Sequence, residues 1–282
     1  MIAVIYSGSR NADWKLSDKG QIISEFRTPG INPYLTGKKS ISSLLNKNNE
    51  LINYAEEIRK IYFFGAGATS KDRKEIISEA FTEFFRYAKV IVDHDLAASA
   101  LATAGNKPGI VCVLGSGSNA AYYNGRKIKE NTYGLGYILG DEGSANWLGR
   151  NLLKDYLTGT MPKKFEHIFV QKYHPERKQI LDKVYRHSQP VLYLTSFTEF
   201  LAEYSDEEYV SSLVKRGMKL YFETYILPLT EKHSNLPLYF TGAVADVFQG
   251  LLKETATNYG LEIAAVIRKP IYNILNYYTN KN

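Results

Sequence analysis

The sequence predicts an α/β protein made of two related units, and three observations carry that prediction. Short apolar runs rich in β-branched and aromatic residues alternate with helical periodicities along most of the 282-residue chain. Each half opens on hairpin-like strands before strand and helix begin to alternate. The turn-rich stretch Gly105-Asn106-Lys107-Pro108-Gly109 divides the halves without a low-complexity linker. The expected domains are 1–107, completed by a C-terminal helix at 269–282, and 108–268 with a helical insertion.

The elements follow in order. Ile2 to Tyr6 is β-rich and ends at Ser7-Gly8-Ser9. The runs at Asp13–Leu16 and Ile22–Phe26 flank Asp18-Lys19-Gly20, a hairpin signal, so three antiparallel strands open the chain. Pro29, Gly30 and Pro33 then enforce a loop. A helix is expected from about Ser40 to Ile58. Ile61–Phe64 reads as a strand, followed by the turn Gly65-Ala66-Gly67. Ser70 caps a helix whose apolar residues Ile76, Ile77, Ala80, Phe81, Phe84 and Phe85 share one face. Val90–Val92 is a strand running into Asp93-His94-Asp95, and Leu96–Ala104 a small-residue helix.

The second unit starts with the strand Ile110–Leu114, the turn Gly115-Ser116-Gly117-Ser118-Asn119 and the strand Ala120–Tyr123. After Gly140-Asp141-Glu142-Gly143-Ser144 a helix runs to about Tyr156. Lys163 to Leu227 reads as almost wholly helical, with Tyr209, Leu213, Leu220 and Thr224 on one face of its last long helix. Leu238–Phe240 is a strand ending at Thr241-Gly242. One helix with the apolar face Val244, Val247, Phe248, Leu251 and Leu252 then ends at Gly260. Ile263–Ile267 is the last strand, and Pro270 opens the last helix.

Composition narrows the function classes. Hydrophobic residues are 44% and charged residues 23% of the chain, as in ordinary globular proteins. The formal charge of +6 is spread along the sequence. That suits an anionic small ligand, and no basic cluster interleaved with aromatics marks a nucleic-acid groove. Cys112 is the one cysteine, so no internal disulfide forms, and no Cys/His spacing resembles a metal site. The N-terminus lacks the features of a signal peptide, and no apolar run approaches the length of a membrane span. The expected location is cytoplasmic, with no membrane partner.

Glycine with small polar residues recurs at four strand ends: Ser7-Gly8-Ser9, Gly65-Ala66-Gly67, Gly115 to Asn119, and Gly242-Ala243. Backbone N–H groups in such turns can approach an anion closely, because glycine has no Cβ in the way. Asp93, Asp95 and Asp141 stand at other strand ends. Together these junctions read as a ligand cleft between two related α/β domains.

Four segments then resemble a known family. Leu114-Gly115-Ser116-Gly117-Ser118-Asn119, Tyr137-Ile138-Leu139-Gly140-Asp141-Glu142-Gly143-Ser144, Tyr62-Phe63-Phe64-Gly65-Ala66-Gly67 and Phe240-Thr241-Gly242-Ala243-Val244-Ala245 resemble motifs of the N-acetylglucosamine kinases and BadF/BadG-type ATPases. That family sits within the superfamily of sugar kinases and actin. The resemblance runs nearly end to end. It implies two ribonuclease-H-like, actin-like ATPase domains that close on ATP with Mg2+ and an amino sugar. On this chain it implies phosphate contacts from Ser7, Gly8, Ser9 and Arg10 and from Gly115, Ser116, Gly117 and Ser118, with Gly242 and Ala243 against the adenosine. It places Asp95 as the general base. Asn32, Gly67, Ser118, Asn119 and Asp141 join Asp95 around the sugar. Homodimers are common in the resembled family.

Other readings of the same residues stand beside these. Asp95 and Asp141 also fit as caps of the helices that follow them, Asn32 as a turn residue, and His94 as a structural neighbour of the base.

The chain departs from the family at its first phosphate turn. Tyr6 replaces the aspartate that orients magnesium, and a phenol with a reference pKa of about 10 supplies no charge at pH 7. Arg10, Asn11 and Ala12 replace a threonine, a lysine and a threonine. The metal-holding residues are therefore left unassigned. Two readings follow: an active kinase for N-acetylglucosamine or a related N-acetylated sugar, or a catalytically impaired kinase-like sugar-binding protein. An iron–sulfur activating ATPase of the BadF/BadG type needs paired cysteines, and Cys112 stands alone.

Overall fold

The computed structural model describes residues 1–8, 11–34, 36–129 and 133–279. The expectations at Ser9 and Arg10 lie outside the described residues. In chain order the strands and helices are β1 (Ile2–Ser7), β2 (Asn11–Asp18), β3 (Gln21–Pro29), α1 (Lys38–Asn46), α2 (Asn49–Tyr54), β4 (Lys60–Gly65), α3 (Lys71–Phe84), β5 (Lys89–His94) and α4 (Asp95–Thr103). They continue with β6 (Gly109–Leu114), β7 (Ser118–Tyr123), β8 (Ile128–Lys129), α5 (Gly136–Leu139), α6 (Ala145–Thr158), α7 (Lys163–Tyr173), α8 (Arg177–Tyr185), α9 (Pro190–Thr195), α10 (Thr198–Glu203) and α11 (Glu208–Tyr221). A π-helical turn, Phe222–Ile226, joins α11 to α12 (Leu227–Lys232), followed by β9 (Leu238–Thr241), α13 (Ala243–Val247), α14 (Gln249–Asn258), β10 (Ile263–Ile267) and α15 (Ile271–Thr279).

The chain divides into two compact units. The first comprises Met1–Lys107, Asn124–Ile128 and the segment from Lys269; the second comprises Pro108–Tyr123 and Lys129–Arg268. The first unit's sheet has the order β3-β2-β1-β4-β5. β1, β2 and β3 pair antiparallel, while β1, β4 and β5 run parallel. The second sheet, β10-β9-β6-β7-β8, repeats that order with β6 in the place of β1. This is the mixed α/β architecture expected of the two ribonuclease-H-like, actin-like units.

Strand alternation explains why the first sheet is covered on both faces. Successive side chains point to opposite faces. Ala3, Ile5, Ile61 and Phe63 therefore join Trp14, Phe81 and Phe85 on one side, and Val4, Tyr62 and Phe64 join Ala98, Ile271, Ile274 and Leu275 on the other. Each large side chain buried this way stabilises the fold by roughly 1.5–3 kcal/mol relative to exposure. Trp14 stacks between Phe26 and Phe81 and donates its indole N–H to Thr28 Oγ1 at 2.9 Å. Tyr278 of α15 stacks on Tyr62 with ring centroids 3.6 Å apart, so the C-terminal helix completes the first unit. The second unit's core gathers α6 to α14 around β6 and β9, with Phe169, Phe200, Tyr221, Phe222 and Phe240 all buried. Among the described residues no helix is long and apolar enough to cross a membrane.

Three expectations need correction. The helix from Ser40 to Ile58 is two helices, because Asn48 leaves helical geometry and its side chain accepts Leu51 N–H to cap α2. The single helix after Gly242 is also two, broken at Phe248. The buried stripe of α11 is Val210, Leu213, Val214, Gly217, Met218 and Tyr221, whereas Leu220 and Thr224 are exposed. Tyr209 is half-buried and donates to Asp155.

Candidate functional site

In the first unit the expected site residues lie at the carboxyl ends of three parallel strands, where α/β sheets carry their ligands. Ser7, Gly65 and His94 are register partners across β1, β4 and β5. The loop after β3 brings Asn32 to this edge, and Ser7 holds it there. Ser7 Oγ donates to Ile31 O at 3.0 Å and accepts Ile31 N–H at 2.8 Å, with Ser7 fully buried. The Ser7 hydroxyl thus fastens the end of β1 to the loop that carries Asn32. Gly8 N–H donates to Asn11 O at 3.0 Å, closing the connection to β2.

Asn32 and Gly67 meet. Gly67 has φ +82°, and a Cβ there would lie 2.2 Å from Asn32 Oδ1 and 2.8 Å from the Tyr34 ring. Asn32 Oδ1 accepts Tyr34 N–H at 3.0 Å, the turn chemistry of an Asx residue. The turn reading of Asn32 is therefore correct, and it fixes the amide beside Gly67.

Asp95 is the first residue of α4, and His94 caps that helix by accepting Ala97 N–H on Nδ1 at 3.3 Å. The capping reading thus moves from Asp95 to His94. Asp95 Oδ1 accepts Leu96 N–H at 2.9 Å. Burial holds the Asp95 carboxyl above the ordinary carboxylate range, opposed by His94 and by the backbone N–H groups. Burial also pulls the His94 imidazole below its usual value. Asp93 is occupied differently: its Oδ1 accepts from Lys74 Nζ at 2.7 Å and from His94 N–H at 2.9 Å.

Tyr6 stands half-buried against the Val4–Tyr62–Phe64 cluster, and Asp93 is paired with Lys74. Among the described residues no three His, Cys, Asp or Glu side chains are grouped to hold a metal ion.

In the second unit the turn Gly115–Gly117 between β6 and β7 is clasped from three directions. Gly115 N–H donates to Gly117 O at 2.9 Å. The first turn of α6 donates into it, Ala145 N–H to Gly115 O at 2.9 Å and Asn146 N–H to Ser116 O at 3.3 Å. The third clasp is Asp141. Its Oδ1 accepts Ser118 N–H at 3.0 Å, and its Oδ2 accepts Asn146 Nδ2 at 2.8 Å. Gly117 makes this possible, since a Cβ there would stand 3.0 Å from both Asp141 oxygens. Ser144 caps α6, its hydroxyl accepting Trp147 N–H, so Asp141 is not the cap. Ser118 Oγ donates to Glu142 O at 2.8 Å, and Asn119 Oδ1 accepts Ala120 N–H at 2.9 Å.

Gly242 joins the same turn. It has φ +124°, and a Cβ there would lie 2.3 Å from Leu114 O and 2.9 Å from Gly115 N. Only glycine lets the segment before Ala243 lie this close to the end of β6. The second unit therefore brings Gly115 to Asn119, Asp141, Gly242 and Ala243 together. Asn146 and Tyr225 belong to the same group and carry no sequence signal of their own. Tyr225 lies 84 residues from Asp141, to which its hydroxyl is bonded.

Cys112 is buried in β6, with its thiol pushed up to about 12 by desolvation. It is a core residue, as its place in a buried strand predicts.

The two five-stranded α/β units have the actin-like fold of the sugar kinases. No protein-family model matches the sequence. A candidate N-acetylglucosamine kinase from Porphyromonas gingivalis is 34% identical, with 99% of each chain covered and a TM-score of 0.93. A second candidate N-acetylglucosamine kinase, from Chromobacterium violaceum, shares the fold at 14% identity, 98% coverage of each chain and a TM-score of 0.68. A ROK-family glucokinase from Streptomyces griseus, solved with glucose and AMPPNP, shares it at 11% identity and a TM-score of 0.58, over 98% of this chain and 97% of its own. The chain belongs to the sugar-kinase family of the Porphyromonas gingivalis protein.

Proposed function

We propose that this protein is an ATP-dependent amino-sugar kinase whose substrate is N-acetylglucosamine or a related N-acetylated sugar. The observation that carries the reading is the bond between Asp141 and the glycine turn. One carboxylate holds the Ser118 N–H and the Asn146 amide, so a sugar-recognising acid and an anion-binding turn are parts of one structure. The identity with the Porphyromonas gingivalis protein supports the same reading.

On this reading the Ser116 and Gly117 backbone approaches the nucleotide phosphates, while Gly242 and Ala243 lie against the adenosine. Asn32, Gly67, Asn119 and Asp141 orient the sugar. Asp95 removes the proton from the attacking hydroxyl as its oxygen bonds to the γ-phosphorus, and ADP departs with the electron pair of the broken P–O bond. A positioned base of this kind contributes about 10²–10⁴-fold. Burial suits Asp95 to the task, because a carboxylate with a raised pKa is the stronger base once ionised. A magnesium ion brought by the nucleotide would neutralise charge on the transferred phosphoryl group, and Tyr6 would offer it no carboxylate. On this reading the protein acts in the cytoplasm on a sugar and a nucleotide, without a nucleic-acid partner.

The second reading, a sugar-binding protein with impaired transfer, is favoured by Tyr6, a neutral phenol packed against an apolar cluster where the family carries an aspartate. Calorimetry with N-acetylglucosamine, with and without ATP-Mg, tests what both readings share. Saturable binding supports them, and no heat of binding under either condition rules out both.

A further inference from the structure

The helical segment between α6 and β9 reaches back to the Asp141 turn through three positions spaced by four residues. Gly217 of α11 touches Gly143: a Cβ at Gly143 would lie 2.8 Å from Gly217 O, and one at Gly217 would lie 3.0 Å from Gly143 Cα. Tyr221 donates its hydroxyl to Asn119 O at 2.8 Å. The Tyr225 hydroxyl accepts Asp141 N–H at 2.9 Å and donates to the Glu142 carboxylate. Gly140 leaves room for it, since a Cβ there would stand 2.9 Å from that hydroxyl.

Residues four apart drift around an α-helix by 40° at each step. The π-helical turn Phe222–Ile226, where Leu227 N–H reaches back to Phe222 O, is wider and offsets that drift. Gly217, Tyr221 and Tyr225 thus all face the turn and its hairpin. Asp141 meanwhile has φ +61°, a conformation uncommon outside glycine. Its carboxylate reaches Ser118 and Asn146 from that conformation. The bond from its N–H to Tyr225 pins the backbone there.

We propose that Tyr225 is a positioning residue for sugar recognition: its phenol fixes the Asp141–Glu142 backbone so that the Asp141 carboxylate is presented in one orientation. The proposal rests on Asp141 as the sugar-binding carboxylate. It gives the π-turn a purpose, and it makes the glycines at 140 and 143 clearances for α11 and its extension.

The test is calorimetry of wild type and Tyr225→Phe with N-acetylglucosamine and, separately, with AMPPNP, alongside thermal unfolding. The variant leaves the Asp141 N–H without its acceptor. The expected result is sugar affinity weakened by ~10–100-fold, with AMPPNP affinity within about twofold of wild type. A purely structural role would weaken both ligands together or neither. Sugar affinity equal to wild type, or equal losses for both ligands, overturns the proposal. Gly140→Ala, whose Cβ would displace the phenol, gives the same decision should Tyr225→Phe not fold: the sugar-selective loss supports the proposal, and wild-type affinity overturns it. Wild type that binds no N-acetylated amino sugar overturns the sugar reading itself, and the proposal with it.

Discussion

Ser7 and Ile31 exchange two hydrogen bonds at the buried end of β1, and Asn32 is the next residue along the loop they hold. Ser7 thus anchors the loop that carries Asn32. Ser7→Ala strands a buried N–H and a buried carbonyl. The expected cost is about 1–3 kcal/mol, read as a lower denaturation midpoint, together with weaker sugar binding. Unchanged stability would show that the pair does not hold the loop.

Gly67→Ala tests the pairing of Gly67 with Asn32. The added Cβ would stand 2.2 Å from Asn32 Oδ1, in a backbone at φ +82°. The amide must therefore move, and the left-handed backbone adds about 1–2 kcal/mol of strain. Calorimetry is expected to show loss of sugar binding with nucleotide binding retained. Retention of full sugar affinity would remove Asn32 from the site.

The proposed role of Asp95 as base makes a pH dependence testable. Its folded-state pKa is raised by burial, and a base acts in its ionised form. Activity therefore falls as pH drops through that raised value, so the acid limb lies above the range of an exposed aspartate. Stability runs the other way. A raised folded pKa favours folding below the unfolded value, and the advantage is lost as pH rises through the folded pKa. Asp95→Asn should then unfold at the same or a higher temperature than wild type at pH 7. A lower melting temperature would mean that the charge is stabilised in the native state.

Cys112 reports on opening of the second unit. A buried thiol with its pKa near 12 is almost wholly protonated at pH 8 and shielded from reagents. Iodoacetamide is expected to label the native protein far more slowly than the denatured one. Rapid native labelling would show that β6 is exposed.

Most of the fold was legible because apolar runs and turn residues agree on it. The six-residue strand Gly109–Leu114 is buried throughout, and Ser70 caps α3 as its position before Lys71 predicts. Breaks that depend on one capping side chain were not legible, as at Asn48, nor was the phase of α11, where Leu220 looks apolar but faces solvent. The glycines of the site were visible in the sequence and their purposes were not. Gly140 and Gly143 make room for residues 217 and 225, a relation that only tertiary contact supplies. Likewise His94 hid its capping role, since imidazole is a rare cap, and Asn146 read as one more helical polar residue.

The central claim is phosphoryl transfer to an amino sugar with Asp95 as base. A coupled ADP-release assay over a panel of amino sugars, with wild type beside Asp95→Asn, tests it most directly. The account predicts sugar-dependent ADP release that is greatest with an N-acetylated sugar and falls about 10²–10⁴-fold in the variant. Sugar binding without ADP release above background in wild type, or equal rates in both proteins, would contradict it.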